Sequence, residues 1–134
     1  MADAIADIDL HVHGVLEAHA GTGKTYTIVG LVVRLLSERR LSVREILLVT
    51  YTKKAAGELT TRIRKGLQDA IERSEDPSLR AHLKQNLANL HEALVGTIHS
   101  TCLRLLRAYP FESGLPFSTE PCDDPEGVEI CLRE

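Results

Sequence analysis

The sequence has little of what marks a secreted, membrane-bound or strongly basic protein. Its three cysteines, Cys102, Cys122 and Cys131, form no C-x-x-C pair, and an odd count argues against a disulfide framework. The longest apolar runs, such as residues 46–49, are far too short to cross a bilayer. The net charge of −3 gives no overall attraction to nucleic acid, so any such contact must come from a local basic patch. We therefore expect a reduced, cytoplasmic protein without a membrane partner.

The amino-terminal residues lack a targeting signal. The opening stretch MADAIADIDL carries acids and does not have the basic-then-apolar order of a secretory signal. We expect residues 1–13 to form a leader. Its His11 and His13 are spaced like a metal-binding pair, but no cysteine or acid completes such a site, which favours a solvated leader. With 134 residues, of which 43% are hydrophobic and 26% charged, the chain is one modest globular domain at most.

Short apolar segments alternate with amphipathic ones along the chain. Three segments have the character of strands: residues 14–18, 46–49 and 94–98. Four segments have helical periodicity: residues 24–37, the stretch that follows Thr52 as N-cap, residues 79–90 and residues 100–108. This alternation predicts an α/β fold with a parallel sheet and crossover helices. Three strands leave the sheet edges unfilled, so we expect the truncated opening part of a larger domain.

Side-chain spacing on the predicted helices separates core from surface. One i, i+4 stripe is predicted to be core, namely Ala55, Leu59, Ile63 and Leu67. Cys102 is predicted to pack beside Leu103 and Leu106 as a small apolar residue. A mid-helix group of cations either contacts phosphate or forms a solvated face, and the position favours the solvated face: Arg62, Arg64 and Lys65.

The segment AHAGTGKT, residues 18–25, has the spacing of a phosphate-binding loop, except that Ala18 stands where the first glycine usually does. Gly21 and Gly23 allow the backbone to turn its N–H groups inward around an anion. The helix that begins near Lys24 adds the positive end of its dipole. Lys24 is a cation for the outer phosphates, and the Thr25 hydroxyl is suited to coordinate Mg²⁺.

The loop therefore predicts binding of a nucleoside triphosphate, ATP by default, together with Mg²⁺. The alternative is a flexible glycine loop with a surface lysine, which the flanking strand and helix patterns disfavour. The predicted binding residues are Ala18, His19, Ala20, Gly21, Thr22, Gly23, Lys24 and Thr25.

Two further stretches place hydroxyls, helix N-termini and cations at the carboxyl end of a predicted strand. ILLVTYTKKAAGELTTRI (residues 46–63) contains Thr50, Tyr51 and Thr52, and VGTIHSTCLRLLR (residues 95–107) contains His99. Ligands of open α/β sheets bind at this edge, and hydroxyls and amides contact nucleic-acid phosphates. Tyr51 either stacks on a base or packs on the protein. His99 is either part of this edge or a core histidine.

Taken together, EAHAGTGKT, ILLVTYTKKAAGEL and GTIHSTCLRLLR resemble the first three motifs of superfamily 1 DNA helicases of the UvrD/RecB type. The likeness is greatest to the branch that contains the A-type subunit of the ATP-dependent helicase/nuclease together with the exonuclease V beta subunit, and it covers about residues 16–117. It implies a RecA-like P-loop domain and ATP-driven movement along single-stranded DNA. It also implies that Lys24 and Thr25 handle the triphosphate and Mg²⁺, and that four residues follow the DNA: Thr50, Tyr51, Thr52 and His99.

The resemblance also implies a domain layout. Residues 14–108 correspond to the first part of the RecA-like ATP-binding domain, with a helical insertion at about residues 73–93. Residues 109–134 correspond to the start of a helical accessory subdomain, which is truncated. The remaining helicase domains are then expected partners of this chain.

The sequence departs from the family pattern in ways that bear on chemistry. Position 53 is lysine where the pattern often has asparagine or an acid. Many relatives have a glutamine upstream of the loop that reads adenine, but the two glutamines here, Gln68 and Gln85, lie downstream, so adenine selectivity is unsupported. The family's apolar strand ending in Asp-Glu, whose acid binds Mg²⁺ for hydrolysis, has no counterpart, because Asp123 and Asp124 follow a Pro-Cys pair.

The leading hypothesis is therefore the ATP-binding N-terminal fragment of a UvrD/RecB-type helicase that does not turn over ATP by itself. Two alternatives stay open at this point. One is a non-catalytic module that binds nucleotide or single-stranded DNA. The other is a small P-loop phosphotransferase, in which the second and third motifs would have no role.

Overall fold

The computed structural model describes residues 5–15, 17 and 23–109. Within this part of the chain four helices and two strands follow one another: α1 (Lys24–Glu38), β1 (Leu47–Thr50), α2 (Lys53–Arg73), α3 (Pro77–Ala88), β2 (Leu94–Thr97) and α4 (Ile98–Ala108). Short 3₁₀ turns, Val43–Glu45 and Leu90–Glu92, come before the strands. The chain divides into two units, residues 1–97 and 98–134, and the second unit contains α4.

The two strands pair in parallel. Leu47 lies opposite Leu94 and Thr50 opposite Thr97, so the two threonines lie side by side at the carboxyl edge. The connection between the strands consists of α2 and α3. The predicted α/β fold with a parallel sheet and crossover helices is confirmed to this extent.

The first predicted strand is not found in the described residues. Of residues 14–18, Gly14, Val15 and Glu17 belong to no regular element, and residues 16 and 18 lie outside the described residues. A strand is stabilised by pairing, and Val15 is 92% exposed, so it lies against little of the protein. The prediction of a strand is therefore wrong for these three residues.

The helix boundaries follow from local capping. The predicted N-cap Thr52 is confirmed, because its hydroxyl oxygen accepts a hydrogen bond from the Ala55 amide at 3.1 Å. Helix α3 begins slightly earlier than predicted, where Asp76 accepts from the Ser78 amide at 2.8 Å and Pro77 occupies the first turn. None of these helices, within the part of the chain that the structure describes, is long and apolar enough to cross a membrane.

The core of the first unit lies where α1, α2 and α3 meet. Its fully buried side chains are Leu36, Val43, Ile63, Leu67 and Leu83. The predicted stripe on α2 is confirmed except at its first residue: Ala55 is exposed, and Ala56 is buried instead. On an α-helix, residues four positions apart point in directions that differ by about 40° around the helix axis. Along a stripe of several such steps this rotation adds up, so a residue at the end of the stripe turns away from the core.

Asn86 ties α3 to the chain that follows α1. Its Oδ1 accepts a hydrogen bond from the Val43 amide at 2.8 Å, and its Nδ2 donates to the Leu41 carbonyl at 3.3 Å. His82, one turn earlier on α3, places Nε2 at 3.1 Å from the carbonyl oxygens of both Leu36 and Leu41. Because Asn86 is buried (4% exposed), its amide group replaces the water that these backbone groups would otherwise need.

Replacement of Asn86 by alanine is expected to lower the free energy of unfolding by about 2 kcal/mol, because the buried Val43 amide loses its acceptor. Chemical denaturation measures this loss. Replacement of the exposed neighbour Gln85 by alanine is the control and should change stability by less than about 0.5 kcal/mol. Equal effects of the two substitutions would show that the Asn86 network does not stabilise the fold.

In the second unit, α4 buries Thr101 and exposes Cys102. Leu103 is half-buried and Leu106 is 39% exposed. The predicted packing of Cys102 beside these leucines is therefore wrong. Adjacent residues on a helix point about 100° apart, so the burial of Thr101 turns Cys102 toward solvent.

Candidate functional site

Of the predicted phosphate-binding loop, the structure describes the last three residues, Gly23, Lys24 and Thr25. Gly23 has φ 85° and ψ 21°, in the left-handed region, and directly precedes α1. The first turn of α1 closes on the Gly23 carbonyl, which accepts from the Thr27 amide at 3.0 Å. Lys24 is exposed and Thr25 is half-buried. Ala18, His19, Ala20, Gly21 and Thr22 lie outside the described residues.

The start of α1 has the properties that an anion requires. The first N–H groups of a helix have no partner within the helix, and the helix dipole makes this end positive. The first turn of α1, which the structure describes in full, contains no acidic residue. Lys24 adds an exposed ammonium group at the same place. The described residues therefore fit a phosphate group.

A protein-only metal site is not found in the described residues, where no three histidine, cysteine, aspartate or glutamate side chains come together. His11 and His13 are both exposed. Mg²⁺ in nucleotide sites is held by few protein ligands together with phosphate oxygens and water. In the described part of the loop, Thr25 has a hydroxyl group that suits the role of such a protein ligand.

Two glycines, one directly before α1 and one within α2, should respond in opposite ways to replacement by alanine. Gly23 has a positive φ, so Gly23→Ala should lower the free energy of unfolding by about 1 kcal/mol. Gly57 lies within α2 with open space around the position of a Cβ atom, so Gly57→Ala should raise it by about 0.7 kcal/mol. Thermal or denaturant unfolding of both variants measures the signs. Stabilisation by Gly23→Ala would contradict the left-handed geometry.

At the carboxyl edge of the sheet, two of the predicted DNA-contacting threonines also have structural roles. The Thr50 hydroxyl donates to the Thr52 carbonyl at 3.0 Å and lies 3.4 Å from the Gly96 carbonyl. The Thr52 side chain caps α2. These bonds fix the turn between β1 and α2. The spacing of the residues predicted the cap but gave no signal for the role of Thr50.

Tyr51 lies between these two threonines and is 93% exposed. The structure therefore contradicts the alternative in which the Tyr51 ring packs on the protein. Lys53 and Lys54 follow in the first turn of α2, which the structure describes in full and which contains no acid. The turn therefore presents an aromatic ring and two cations to solvent. Further along α2 three more cations are exposed, as expected for a solvated face: Arg62, Arg64 and Lys65.

His99 is exposed in the first turn of α4, so it is not a core histidine. It belongs to the second unit, whereas Thr50, Tyr51 and Thr52 belong to the first. The structure therefore places the two threonines and Tyr51 in one turn of the first unit, and His99 in the second unit.

The carboxylates with perturbed pKa values lie outside both groups of predicted site residues. The hydrogen bond from Arg44 lowers the pKa of Glu92, and the hydrogen bond from Arg34 lowers the pKa of Glu38. The Ser78 amide and then Arg40 lower the pKa of Asp76. Because these values fall on folding, the stability from each pair is present above the ordinary carboxyl pKa and is lost as the pH falls through the lowered value. All three pairs are solvent-accessible, so we expect small contributions.

The structure thus defines a parallel α/β unit, and the N-terminus of its helix α1 is suited to an anion. Residues 3–130 match the family described as UvrD/REP helicase N-terminal domain. The chain belongs to this family. The resemblance inferred from the three sequence motifs is thereby confirmed.

The curated relatives of this chain are much longer proteins. It is 40% identical over 100 residues to the A-type subunit of the ATP-dependent helicase/nuclease of Listeria monocytogenes serotype 4a (strain HCC23), an alignment that covers 73% of this chain and 8% of that protein. It is 39% identical to the protein of the same name from Anoxybacillus flavithermus (strain DSM 21510 / WK1), with coverages of 91% and 10%. It is 36% identical to the RecBCD enzyme subunit RecB of Haemophilus influenzae (strain ATCC 51907 / DSM 11121 / KW20 / Rd), with coverages of 87% and 12%. The chain thus spans about a tenth of the length of these relatives.

Proposed function

We propose that this chain is the ATP-binding N-terminal part of a UvrD/RecB-type DNA helicase. The observation that carries the proposal is the phosphate-loop spacing of residues 18–25, which leads through a left-handed Gly23 into the acid-free first turn of α1. Relatives named as ATP-dependent helicases support ATP as the nucleotide. Membership of the helicase family leaves the phosphotransferase alternative without support.

In this proposal each residue of the segment has a separate task. The ammonium group of Lys24 neutralises the outer phosphates, and the backbone N–H groups at the start of α1 donate to their oxygens. Residues 18–22 complete the loop around the phosphates. Gly23 permits the backbone to enter α1 at a positive φ that other residues adopt at a cost.

Thr25 is the proposed protein ligand of Mg²⁺. The ion, when bound with ATP, neutralises phosphate charge and orients the triphosphate. Hydrolysis further needs a carboxylate at a strand end and a group that orients water. The sequence has no apolar run that ends in Asp-Glu. We therefore propose that this chain alone binds ATP without sustained turnover, and that movement along DNA requires the remaining helicase domains.

Single-stranded DNA is the proposed second ligand, at the turn between β1 and α2. Tyr51 is exposed and free to stack on a base, and Lys53 and Lys54 lie beside it for phosphate contact. Thr50 and Thr52 hold the turn in shape. His99, in the second unit, is a further residue that we propose as a DNA contact.

Titration of the purified chain with ATP at millimolar Mg²⁺ tests the proposal. We expect saturable binding to one site and no hydrolysis above that of a Lys24→Ala control, with or without single-stranded DNA. A folded chain that binds neither ATP nor GTP would refute the nucleotide site. Multiple turnovers above the control would refute the proposed lack of hydrolysis.

A further inference from the structure

The exposed half of helix α2 carries a concentration of positive charge. Between residues 53 and 65 the chain has five cations and a single acid, Glu58, although its net charge is −3. All five cations are exposed, and they lie on the half of the helix opposite to the core residues Leu59 and Ile63. We call this surface the basic face; its residues are Lys53, Lys54, Arg62, Arg64 and Lys65. Positive charge is thus gathered on one surface of an acidic chain.

The cations of the basic face have no carboxylate partner in the part of the chain that the structure describes. The ion pairs found there hold cations of α1 and of the residues that follow it: Arg34 with Glu38, Arg40 with Asp76, and Arg44 with Glu92. Glu58 is one helical turn from both Lys54 and Arg62, yet it forms an ion pair with neither. The charge of the basic face is therefore available to an anion from outside.

The stability of α2 does not explain this charge. Arg62 and Lys65 are three residues apart, and like charges at this spacing on a helix destabilise it. Lys53 and Lys54 lie in the first turn, where the positive end of the helix dipole disfavours cations. Packing of the apolar side of α2 into the core stabilises the helix instead. Exposed cations that oppose the stability of their own helix indicate a ligand with several negative charges.

The shape and composition of the basic face indicate the phosphate backbone of paired DNA strands. Lys54 and Lys65 are eleven residues, or about three turns, apart, so they lie on one line along the helix with about 17 Å between them. This length spans several phosphates of a backbone that follows the helix. Sites for unpaired strands add aromatic rings on which the bases stack. Helix α2 contains no aromatic residue, and Tyr51 lies before it in the turn, so the helix provides charge without stacking.

We infer that the basic face of α2 binds the phosphate backbone of double-stranded DNA, next to the single strand proposed at the turn between β1 and α2. The inference rests on the proposed function. Glu72 is exposed on the same line of the helix, seven residues beyond Lys65, and its charge sets the far end of the contact. Glu58 lies inside the basic face and opposes binding of phosphate.

Fluorescence anisotropy with two labelled DNA probes tests the inference. One probe is a single strand, and the other is the same strand annealed over half of its length to a complement. The test variant replaces Arg62, Arg64 and Lys65 by glutamine, which has a similar helix propensity. We expect it to bind the half-duplex probe about tenfold more weakly, and the slope of log affinity against log salt to decrease in magnitude by about 3.

The matched control replaces three exposed cations elsewhere by glutamine: Arg39, Arg80 and Lys84. It changes the net charge by the same amount, so it corrects for overall electrostatic attraction. Both triple variants alter exposed side chains only and should keep the circular dichroism spectrum of the wild type. On the single strand, the test variant should lose no more affinity than this control.

Replacement of Glu58 by glutamine should have the opposite effect. It removes a negative charge from within the basic face, so the half-duplex probe should bind about threefold more tightly. A variant that had lost its fold would not gain affinity. Glu75→Gln is the control, since Glu75 is an exposed acid beyond the end of α2. An equal gain in Glu75→Gln, or no gain in Glu58→Gln, would contradict a contact at the basic face.

The possible results separate the failures. Equal losses of the test variant on both probes would mean that the basic face follows a single strand, which would overturn the inferred contact with duplex. Equal losses in the two triple variants would mean that general charge attracts the DNA. A wild-type chain that binds neither probe would overturn the proposed DNA site and this inference with it. Binding of the single strand that depends on Tyr51, together with an unchanged affinity of the test variant for the half-duplex probe, would overturn the inference alone.

Discussion

Replacement of Lys24 by alanine is expected to weaken the binding of Mg·ATP about 30-fold, since a hydrogen bond to a charged group contributes about 2 kcal/mol. The side chain is exposed at the start of α1 and has no acid beside it in the fully described first turn. Its charge is therefore available to phosphate oxygens. Isothermal titration or the displacement of a fluorescent nucleotide measures the affinity.

The matched control for this substitution is Lys84→Ala on α3. Lys84 is an exposed helical lysine like Lys24 and lies outside the proposed site. Its replacement changes the net charge of the chain by the same amount, so it corrects for overall electrostatic attraction. An equal loss of affinity in the two variants would mean that general charge, and not a site at the start of α1, attracts the nucleotide.

The largest expected effect on stability is that of Leu67→Ala. Leu67 is fully buried on α2, in the core formed with α1 and α3. Its truncation removes apolar contacts and leaves a cavity, which should lower the free energy of unfolding by about 3 kcal/mol. This loss is a large part of the stability of a small domain. Urea denaturation followed by circular dichroism measures it through the shift of the midpoint.

Leu47→Ala is the control for the core substitution. Leu47 is chemically identical and lies in the same unit, but it is 49% exposed on β1. We expect a loss below about 1 kcal/mol, since only part of the side chain leaves an apolar environment. If Leu67→Ala cost no more than Leu47→Ala, the described core would not be the one that stabilises the chain.

The helices and two strands could be predicted because their signals are local. Thr52 caps α2, and the break before Pro77 separates α2 from α3, as the residue types indicate. The apolar run at residues 46–49 has the length of a buried strand, which predicted β1. The helical connection that follows it predicted the parallel pairing with β2. The three family motifs predicted the family in the same way, because each depends on a short run of adjacent residues.

The features that sequence reasoning missed depend on contacts between distant segments. The burial of Ala56 in place of Ala55 depends on the angle at which α2 meets its neighbours. The hydrogen bonds from Arg34 to the backbone carbonyls of Ile5 and Ile8 join residues more than 25 positions apart, and an arginine within an amphipathic helix gives no local signal of such partners. Gly14, Val15 and Glu17 lie in a segment with the composition of a strand, but a strand also needs a neighbour with which to pair.

The account depends most on the claim that the backbone amides at the start of α1, together with Lys24, hold the triphosphate. Nuclear magnetic resonance of the ¹⁵N-labelled chain, titrated with ATP at millimolar Mg²⁺, tests this claim most directly. We predict that the amide resonances of Gly23, Lys24 and Thr25 shift most, while those of α3 stay in place. Saturating ATP that leaves these three resonances unmoved, or that shifts other regions more strongly, would contradict the account.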